Sequence, residues 1–577
     1  MPLIPRTRPQ GVVRPRCDTS GVRWAVAEGT GGEGVRLCPL DGDGRAAGPV
    51  VAEASLADAV RARPEVERWV WRSTARAYGE LLAAGVCVER CYDVEAAEAL
   101  LIGHEEGQSG QPRSLAAAWA RLRRLPVPVD PPLQAAETQP SLFAPGPVPL
   151  PPGVEELEAL LEVYAGQLAR TQRTEHPGRT RLLIAAESAG TLVAAEMRRA
   201  GVPWRADVHR ELLDELLGER YPGGQETRRL AELAQTVSEA FGEPVRPDLP
   251  ADVIRAFARA GVALSSTRAW ELQKIDHPAV PALLEYKKLY RLHTAHGWSW
   301  LQSWVRDGRF RPEYLPGGAV SGRWTTNGGG ALQIPRVVRR AVIADPGWRL
   351  VVADADQLEP RVLAAISRDP GLMDVAGSGR DLYADLAERA FSGDRDRAKL
   401  AMLGAIYGQT SGDGLKHMAD LRRRFPRAVA YVDDAARAGE EGRLVRTWLG
   451  RTCPPASTTV DDEAGIPQEE EPATRGNTAS TRARGRFTRN FVVQGSAADW
   501  ALIVLATLRQ AIEGLRAELV FFQHDEVIVH CPQEEAEAVA EAIRTAGNRA
   551  GCIAFGDTPT RFPFTTAVVE CYAQAKA

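Results

Sequence analysis

The chain has 577 residues, 44 % hydrophobic and 25 % charged, which excludes a single core, global disorder and a fibrous repeat and predicts three or four compact units. Its formal net charge of −4 gives no global attraction to nucleic acid, so any such binding must come from local clusters of positive charge. No run approaches the roughly 18 apolar residues of a membrane span, and the start, Met1-Pro2-Leu3-Ile4-Pro5-Arg6, lacks a signal peptide's apolar segment, so a cytoplasmic protein with no membrane partner is expected.

In chain order, the first hundred residues alternate β-like runs (22–27, 34–38, 69–71) with helical ones (80–85, 94–102), joined by turns such as Asp41-Gly42-Asp43-Gly44. Residues 1–125 are predicted to form a small α/β domain. Residues 126–153 turn to Pro, Gln and Ser and read as a linker. From 154 to 306 the pattern is mostly helical, as at 191–200, 211–217 and 282–292. Residues 307–577 have a mixed α+β texture: a strand at 350–353, a helix at 361–367, a long helical block and a hairpin at 519–531. Within it, about 454–484 carries Asp461, Asp462, Glu463 and Glu469 to Glu471 among Pro, Gly, Ser and Thr, and reads as a disordered acidic insertion. Eight cysteines over this length form no disulfide framework, and Cys87 and Cys91 have no second pair to complete a zinc site. The thiols read as reduced and mostly buried.

Four segments carry chemistry. In Leu350-Val351-Val352-Ala353-Asp354-Ala355-Asp356-Gln357-Leu358-Glu359-Pro360-Arg361 an apolar strand ends in a carboxylate and runs into a helix. Asp354 is thereby a candidate metal ligand; the bland alternative makes Asp356 and Glu359 a capping box and Asp354 loop decoration. In Leu519 to Cys531 two apolar strands flank the tip His524-Asp525-Glu526. Asp is common in turns, but two strand-borne carboxylates suit a two-metal centre of hard, oxygen-seeking Mg²⁺. In Arg395 to Gly408 a helical stripe carries Arg395, Lys399, Leu403 and Tyr407 at intervals of four. Like charges so spaced repel unless solvated or bridged by an anion such as a triphosphate, and Lys399 is one of only six lysines in the chain. In Arg486 to Asp499 a polar stripe of Arg486, Asn490 and Gln494 reads equally as a solvent face or as donors to phosphates and minor-groove acceptors.

Taken together and in this order, these segments, with Ser321-Gly322-Arg323-Trp324 and Leu332-Gln333-Ile334-Pro335 before them, resemble the polymerase region of the A family of DNA polymerases over roughly 180–577. The resemblance implies a multidomain α/β and α+β chain: an RNase-H-like N-terminal domain followed by a right-hand polymerase fold, with a thumb near 205–306, a palm carrying Asp354 and Asp525, and fingers around the Lys399 helix. The implied function is template-dependent addition of dNTPs to a primer 3′-hydroxyl by two-metal nucleotidyl transfer, in DNA repair or gap filling. Asp354 and Asp525 would hold two Mg²⁺ ions, with Mn²⁺ as an alternative. Arg395 and Lys399 would neutralise the triphosphate, Lys399 protonating the leaving group. Glu359 and Tyr407 would close the sugar pocket against a 2′-hydroxyl, and Gln357, Tyr383 and Leu403 would complete the nucleotide site. Arg323, Arg486, Asn490, Gln494 and His524 would contact the primer terminus and template minor groove. Primer-template DNA and dNTPs are the expected partners of a nucleoid-associated monomer.

Departures from the family pattern are Leu403 for an aromatic residue, Tyr383 for a His, Ala355 for a Tyr, and about a dozen residues fewer between Gly408 and Arg422. The N-terminal region stands where the family has a 3′-5′ proofreading exonuclease, whose first strand carries Asp-x-Glu. Strand 23–28 has no such pair, Asp93-Val94-Glu95 lies at a helix start where Asp93 suits an N-cap, and no Asp follows Tyr164 at the expected distance. A degenerate domain without proofreading is therefore expected. Two alternatives stand beside this reading: a catalytically silent primer-template-binding protein that keeps the fold, and a bifunctional enzyme with residual 3′-5′ exonuclease activity.

Overall fold

In the computed structural model, strand residues near the N-terminus alternate between two apolar layers. The structure describes residues 21–29, 34–107, 110–131, 148–221, 227–327, 330, 334–408, 414–455 and 477–576. These divide into one unit of residues 1–200, 313–327 and 351–568 and another of 201–312, 328–350 and 569–577.

The first unit begins with β1 (Arg23–Glu28), β2 (Val35–Leu40), β3 (Val51–Glu53), α1 (Leu56–Arg61), β4 (Arg68–Trp71), α2 (Thr74–Ala83), β5 (Cys91–Asp93), α3 (Val94–Glu106), α4 (Leu115–Leu122), α5 (Glu156–Gln172) and α6 (Pro177–Ala200). The strand order is β3-β2-β1-β4-β5; β1 to β3 are antiparallel, whereas β4 runs parallel to β1 and β5 to β4. Ala25, Ala27, Val70 and Tyr92 face a core with Leu101, Trp119, Leu160 and Tyr164. Val26, Trp69, Trp71 and Cys91 face the other, with Leu56, Tyr78, Leu81 and Leu192. A period of two thus buries both faces, as a sheet with parallel strands requires.

This packing moves the boundary expected at 125. Leu157, Val163 and Tyr164 of α5 and Ile184 of α6 share the core of the sheet, so the stretch 154–200 is not part of a separate helical region. Apolar periodicity shows that a helix has a buried face but not which layer it covers. Of the expected linker, residues 132–147 lie outside the described residues.

The second unit contains β6 (Val202–Pro203), α7 (Ala206–Leu217), α8 (Arg228–Phe241), α9 (Pro250–Arg259), α10 (Ala269–Leu272), α11 (Ala279–His296), α12 (Trp298–Trp304), β7 (Val305–Arg306) and β8 (Arg309–Phe310), with strand order β6-β8-β7. Val237, Phe257, Leu272 and Leu283 form one core. A second layer stacks Trp204, His209, His296, Trp300 and Phe310. The Trp204 indole donates to His209 Nδ1 at 3.2 Å, and His209 Nε2 lies 3.0 Å from the His296 carbonyl. This pairing fits a neutral ring with its proton on Nε2. Burial pushes both imidazoles down to about 4. Their folded pKa lies below the unfolded value near 6.5, so the unfolded chain takes up protons first. Stability is therefore complete above about pH 6.5 and is lost as pH falls toward 4, on the order of 2 kcal/mol per histidine at pH 5. Thermal melting should drop over this window, and drop less in His209→Gln.

The first unit resumes with β9 (Glu313–Leu315), β10 (Thr325–Asn327), β11 (Trp348–Ala355), α13 (Leu358–Ser367), α14 (Pro370–Gly377), α15 (Leu382–Ala390), α16 (Arg395–Tyr407), α17 (Gly414–Arg424), α18 (Pro426–Glu440), α19 (Asn477–Ala511), β12 (Glu518–Gln523), β13 (Glu526–Pro532), α20 (Ala536–Phe555) and β14 (Phe564–Val569). The last three strands join β11 in a sheet of order β12-β13-β11-β14. Helix α19 corrects one expectation, since its segment Ser480–Ala511 is long and apolar enough to cross a membrane. An 18-residue window of it is 94 % buried, so its apolar surface is spent inside the protein. Near its end Arg509 donates to the carbonyls of Val88 (2.7 Å) and Glu89 (2.8 Å), to Glu196 of α6 (2.8 Å) and to the Tyr78 hydroxyl of α2 (3.2 Å). Residues 456–476 of the expected acidic insertion lie outside the described residues.

Candidate functional site

The hairpin β12–β13 pairs Gln523 with Glu526, leaving His524 and Asp525 as a two-residue turn. His524 takes the left-handed conformation at φ 56°, as such tight turns require. Glu526, expected at the tip, is instead the first residue of β13 and is buried. The Ala355 N–H at the end of β11 donates to the Asp525 carbonyl at 3.0 Å. At ordinary strand spacing this puts the Asp354 and Asp525 backbones about 6 Å apart. Ala353 and Ala355 are buried while Asp354 is half-buried, so Asp354 turns to the opposite face. Two aspartates 171 positions apart in the chain thereby lie on adjoining stretches of backbone. No cluster of three or more metal-binding side chains occurs among the described residues.

The capping box does not form. Gln357 precedes α13 at φ 46° without a side-chain cap. Asp356 accepts from the Thr565 hydroxyl at 2.7 Å, and Glu359 turns to other partners. The Arg323 guanidinium donates to one Glu359 oxygen at 2.9 Å and the Tyr407 hydroxyl to the other at 2.6 Å. Tyr407 is also hydrogen-bonded to Gln494, and burial followed by the Glu359 charge raises its pKa, so the phenol remains a donor. Desolvation and then the neighbouring Arg323 push the His524 imidazole down to about 4. Arg323, Glu359, Tyr407, Gln494 and His524, from five separate segments, thus form one cluster.

A second cluster surrounds Asp381, the N-cap of α15, which accepts from the Ala384 N–H. Arg395 grips its carboxylate through two nitrogens, at 2.8 and 3.2 Å, and lies over the Tyr383 ring at 5.7 Å. The Arg395 contact holds the Asp381 pKa below its usual range. Burial and then the Glu359 charge push Tyr383 up to about 12. The Gln357 amide reaches Asp381 at 3.3 Å.

Helix α16 has the predicted stripe. Asp394 caps it through the Arg397 N–H, and Ala398, Ala401, Met402, Ala405 and Ile406 form its buried side. Arg395 and Lys399 are exposed, whereas Leu403 and Tyr407 are half-buried. Lys399 has no carboxylate partner among the described residues, and neither Lys399 nor Leu403 is drawn into the two clusters. On α19, Arg486 is exposed beside Gly408 at the end of α16. The Asn490 Oδ1 is buried without a partner among the described residues. Leu332 and Gln333 lie outside the described residues.

One residue escaped sequence reasoning. Arg361 is 1 % exposed and donates to the carbonyls of Asp356, Ala376, Arg380 and Arg561 and to the Gln357 side chain, at 2.8 to 3.2 Å. It fixes the backbone immediately after Asp354. The available signal was an arginine set among the buried apolar residues of α13, Leu358, Val362, Leu363 and Ile366.

In the N-terminal sheet Asp93 is an N-cap, accepting from the Ala96 N–H (2.9 Å) and also from the Thr74 N–H (2.7 Å). Burial raises its pKa, and burial followed by the Asp93 charge raises that of Glu95. Arg72 stands between Glu95, at 3.1 Å, and Glu156, at 3.8 Å.

The four-stranded sheet that carries Asp354 on β11 and Asp525 at the β12–β13 turn, with α16 packed on α15 and α19, has the fold of a polymerase domain. The model of DNA polymerase family A matches residues 253–554, and the chain belongs to that family. The DNA polymerase I of Chloroflexus aurantiacus is 30 % identical over 314 residues, covering 49 % of this chain and 31 % of that protein. The thermostable DNA polymerase I of Thermus aquaticus is 27 % identical over 313 residues, covering 50 % and 36 %. The chain thus spans about a third of the length of these relatives. In structure it is similar to the POL domain of Pol1 from M. smegmatis, solved with DNA primer-template and dNTP, with a TM-score of 0.67 at 20 % identity over 96 % of each chain.

Proposed function

We propose that the chain is a template-dependent DNA polymerase that adds dNTPs to a primer 3′-hydroxyl in repair or gap filling, as a cytoplasmic monomer. The observation that supports this reading is the Ala355 N–H to Asp525 carbonyl bond, which brings the backbones of Asp354 and Asp525 together at one end of a sheet. Their donors, carboxylate oxygens alone, suit Mg²⁺ or Mn²⁺. Two such ions, when bound, supply a lowered hydroxyl pKa and charge neutralisation on the triphosphate. Asp354 and Asp525 would hold them. Lys399 and Arg395 bind the β- and γ-phosphates, and Lys399 carries a proton for the departing pyrophosphate. Glu359, fixed by Arg323 and Tyr407, excludes a 2′-hydroxyl, while Gln357, Tyr383 and Leu403 line the nucleotide site. Arg323, Arg486, Asn490, Gln494 and His524 contact the primer terminus and the minor groove, sensing base-pair shape without reading sequence. Residues 201–306 serve as thumb, α16 as the centre of the fingers and β11–β14 as the palm.

The strand order β3-β2-β1-β4-β5 supports an RNase-H-like N-terminal domain. Its lack of proofreading is supported by Asp93 being engaged as a cap and by the Arg72 guanidinium standing beside Glu95 and Glu156, where a cation would otherwise be needed. A labelled primer-template with Mg²⁺ tests both statements. Extension is expected with dNTPs and no shortening without them; absence of incorporation with binding retained would favour a silent DNA-binding protein, and shortening would restore the nuclease.

A further inference from the structure

We propose that Arg451, held between Glu187 and Asp499, is a positioning residue for this site: it is the floor on which residues 317–323 fold, and it sets the direction in which Arg323 leaves that loop. The proposal rests on the polymerase reading above and assigns a role to a charged cluster that touches neither Asp354 nor Asp525.

Arg451 is 7 % exposed. Its Nη2 donates to Glu187 of α6 at 2.7 Å and its Nε to Asp499 of α19 at 2.9 Å. The Thr447 hydroxyl donates to the second Asp499 oxygen at 2.6 Å and accepts from the Arg451 N–H at 3.0 Å. Replacing such a buried triad by apolar side chains is often neutral or stabilising, so fold stability alone is a weak account of it. Geometry is a stronger one.

The loop rests on the triad through glycines. A Cβ on Gly322 would collide with the Arg451 guanidinium, and one on Gly317 would come within 2.6 Å of Glu187 Oε1. Both glycines have left-handed φ, 82° and 63°, so the close approach and the backbone each exclude a side chain. On α19, a Cβ at Gly495 would meet Thr447 at 2.6 Å and the Ser321 carbonyl at 3.3 Å. The Gly322 N–H closes a turn on the Ala319 carbonyl at 2.8 Å, and the Ala319 N–H donates to the Arg323 carbonyl at 3.1 Å. From that turn the Arg323 side chain reaches Glu359, and Glu359 takes the Tyr407 hydroxyl. A planar fork bonded to two fixed carboxylates sets the height and tilt of the turn, which a lysine point charge cannot do.

The test is a double-mutant cycle in the full chain between Arg451→Lys and Arg323→Ala, read as kcat/KM for dNTP incorporation and as primer-template affinity. If Arg451 acts through Arg323, Arg451→Lys lowers kcat/KM about 10-fold in the parent but less than 2-fold in the Arg323→Ala background. Glu187→Gln, which keeps an acceptor and removes a buried charge, should show the same non-additivity with little change in melting temperature. Equal losses in both backgrounds would overturn the proposal and leave the triad a purely structural element. If the parent chain incorporates nothing, the polymerase reading fails by itself, and the cycle on primer-template affinity still decides the positioning role.

Discussion

Asp525→Ala is expected to lower primer extension about 10³-fold or more while leaving primer-template affinity within severalfold of the parent. The side chain sits in a two-residue turn whose strand pairing and Ala355 contact are made by backbone atoms, so its removal leaves the hairpin intact. What is lost is half of the carboxylate pair, and stabilisation of several kcal/mol in the transition state corresponds to that factor. Asp354→Ala should behave alike. The double variant should be little worse than either single one, because two ligands of one metal pair act as a unit. Single-turnover extension with matched binding measurements checks all three. Extension surviving at parental rate would remove the two-metal account.

Lys399→Ala should lower kcat/KM for dNTPs by roughly 10²- to 10³-fold, with both a higher KM and a lower kcat. The reason lies in the difference between the two cations of the stripe. Arg395 is already engaged by Asp381, so its guanidinium is oriented before any anion arrives. Lys399 has no acidic partner among the described residues and is exposed one turn further along α16, so its charge is uncommitted. Arg395→Ala should therefore act mainly on KM, and Lys399→Arg should restore phosphate binding better than turnover, since a guanidinium does not release its proton. Steady-state titration of a single dNTP separates the two. Equal kcat for Lys399→Ala and the parent would rule out proton donation by this residue.

The strand that ends near Asp354, the hairpin that carries Asp525 and helix α16 were legible because each sits in a local pattern: apolar runs of period two, and a stripe of four with a glycine stop at Gly408. The Asp93 cap was legible for the same reason. Other features depend on partners remote in sequence. Nothing around Arg451 announces Glu187, 264 positions away, and the Asp356–Glu359 spacing suggests a capping box that tertiary bonds to Thr565, Arg323 and Tyr407 outcompete. The membership of α5 and α6 in the N-terminal sheet was hidden because a helix pattern of 3.6 carries no address. Arg361 was hidden because its five acceptors, four of them backbone carbonyls, come from segments that converge only in the folded chain.

The wedge of Arg509 into the first hundred residues makes the two ends of the chain interdependent. Trimming away the sheet domain would strip Val88, Glu89 and Tyr78 from a guanidinium buried at the foot of α19 and bare the Leu192 side of α6 to water. The shortened chain would thus keep only the Glu196 carboxylate on Arg509 and would carry an uncovered apolar flank on α6. The N-terminal sheet thereby braces α6 and the end of α19.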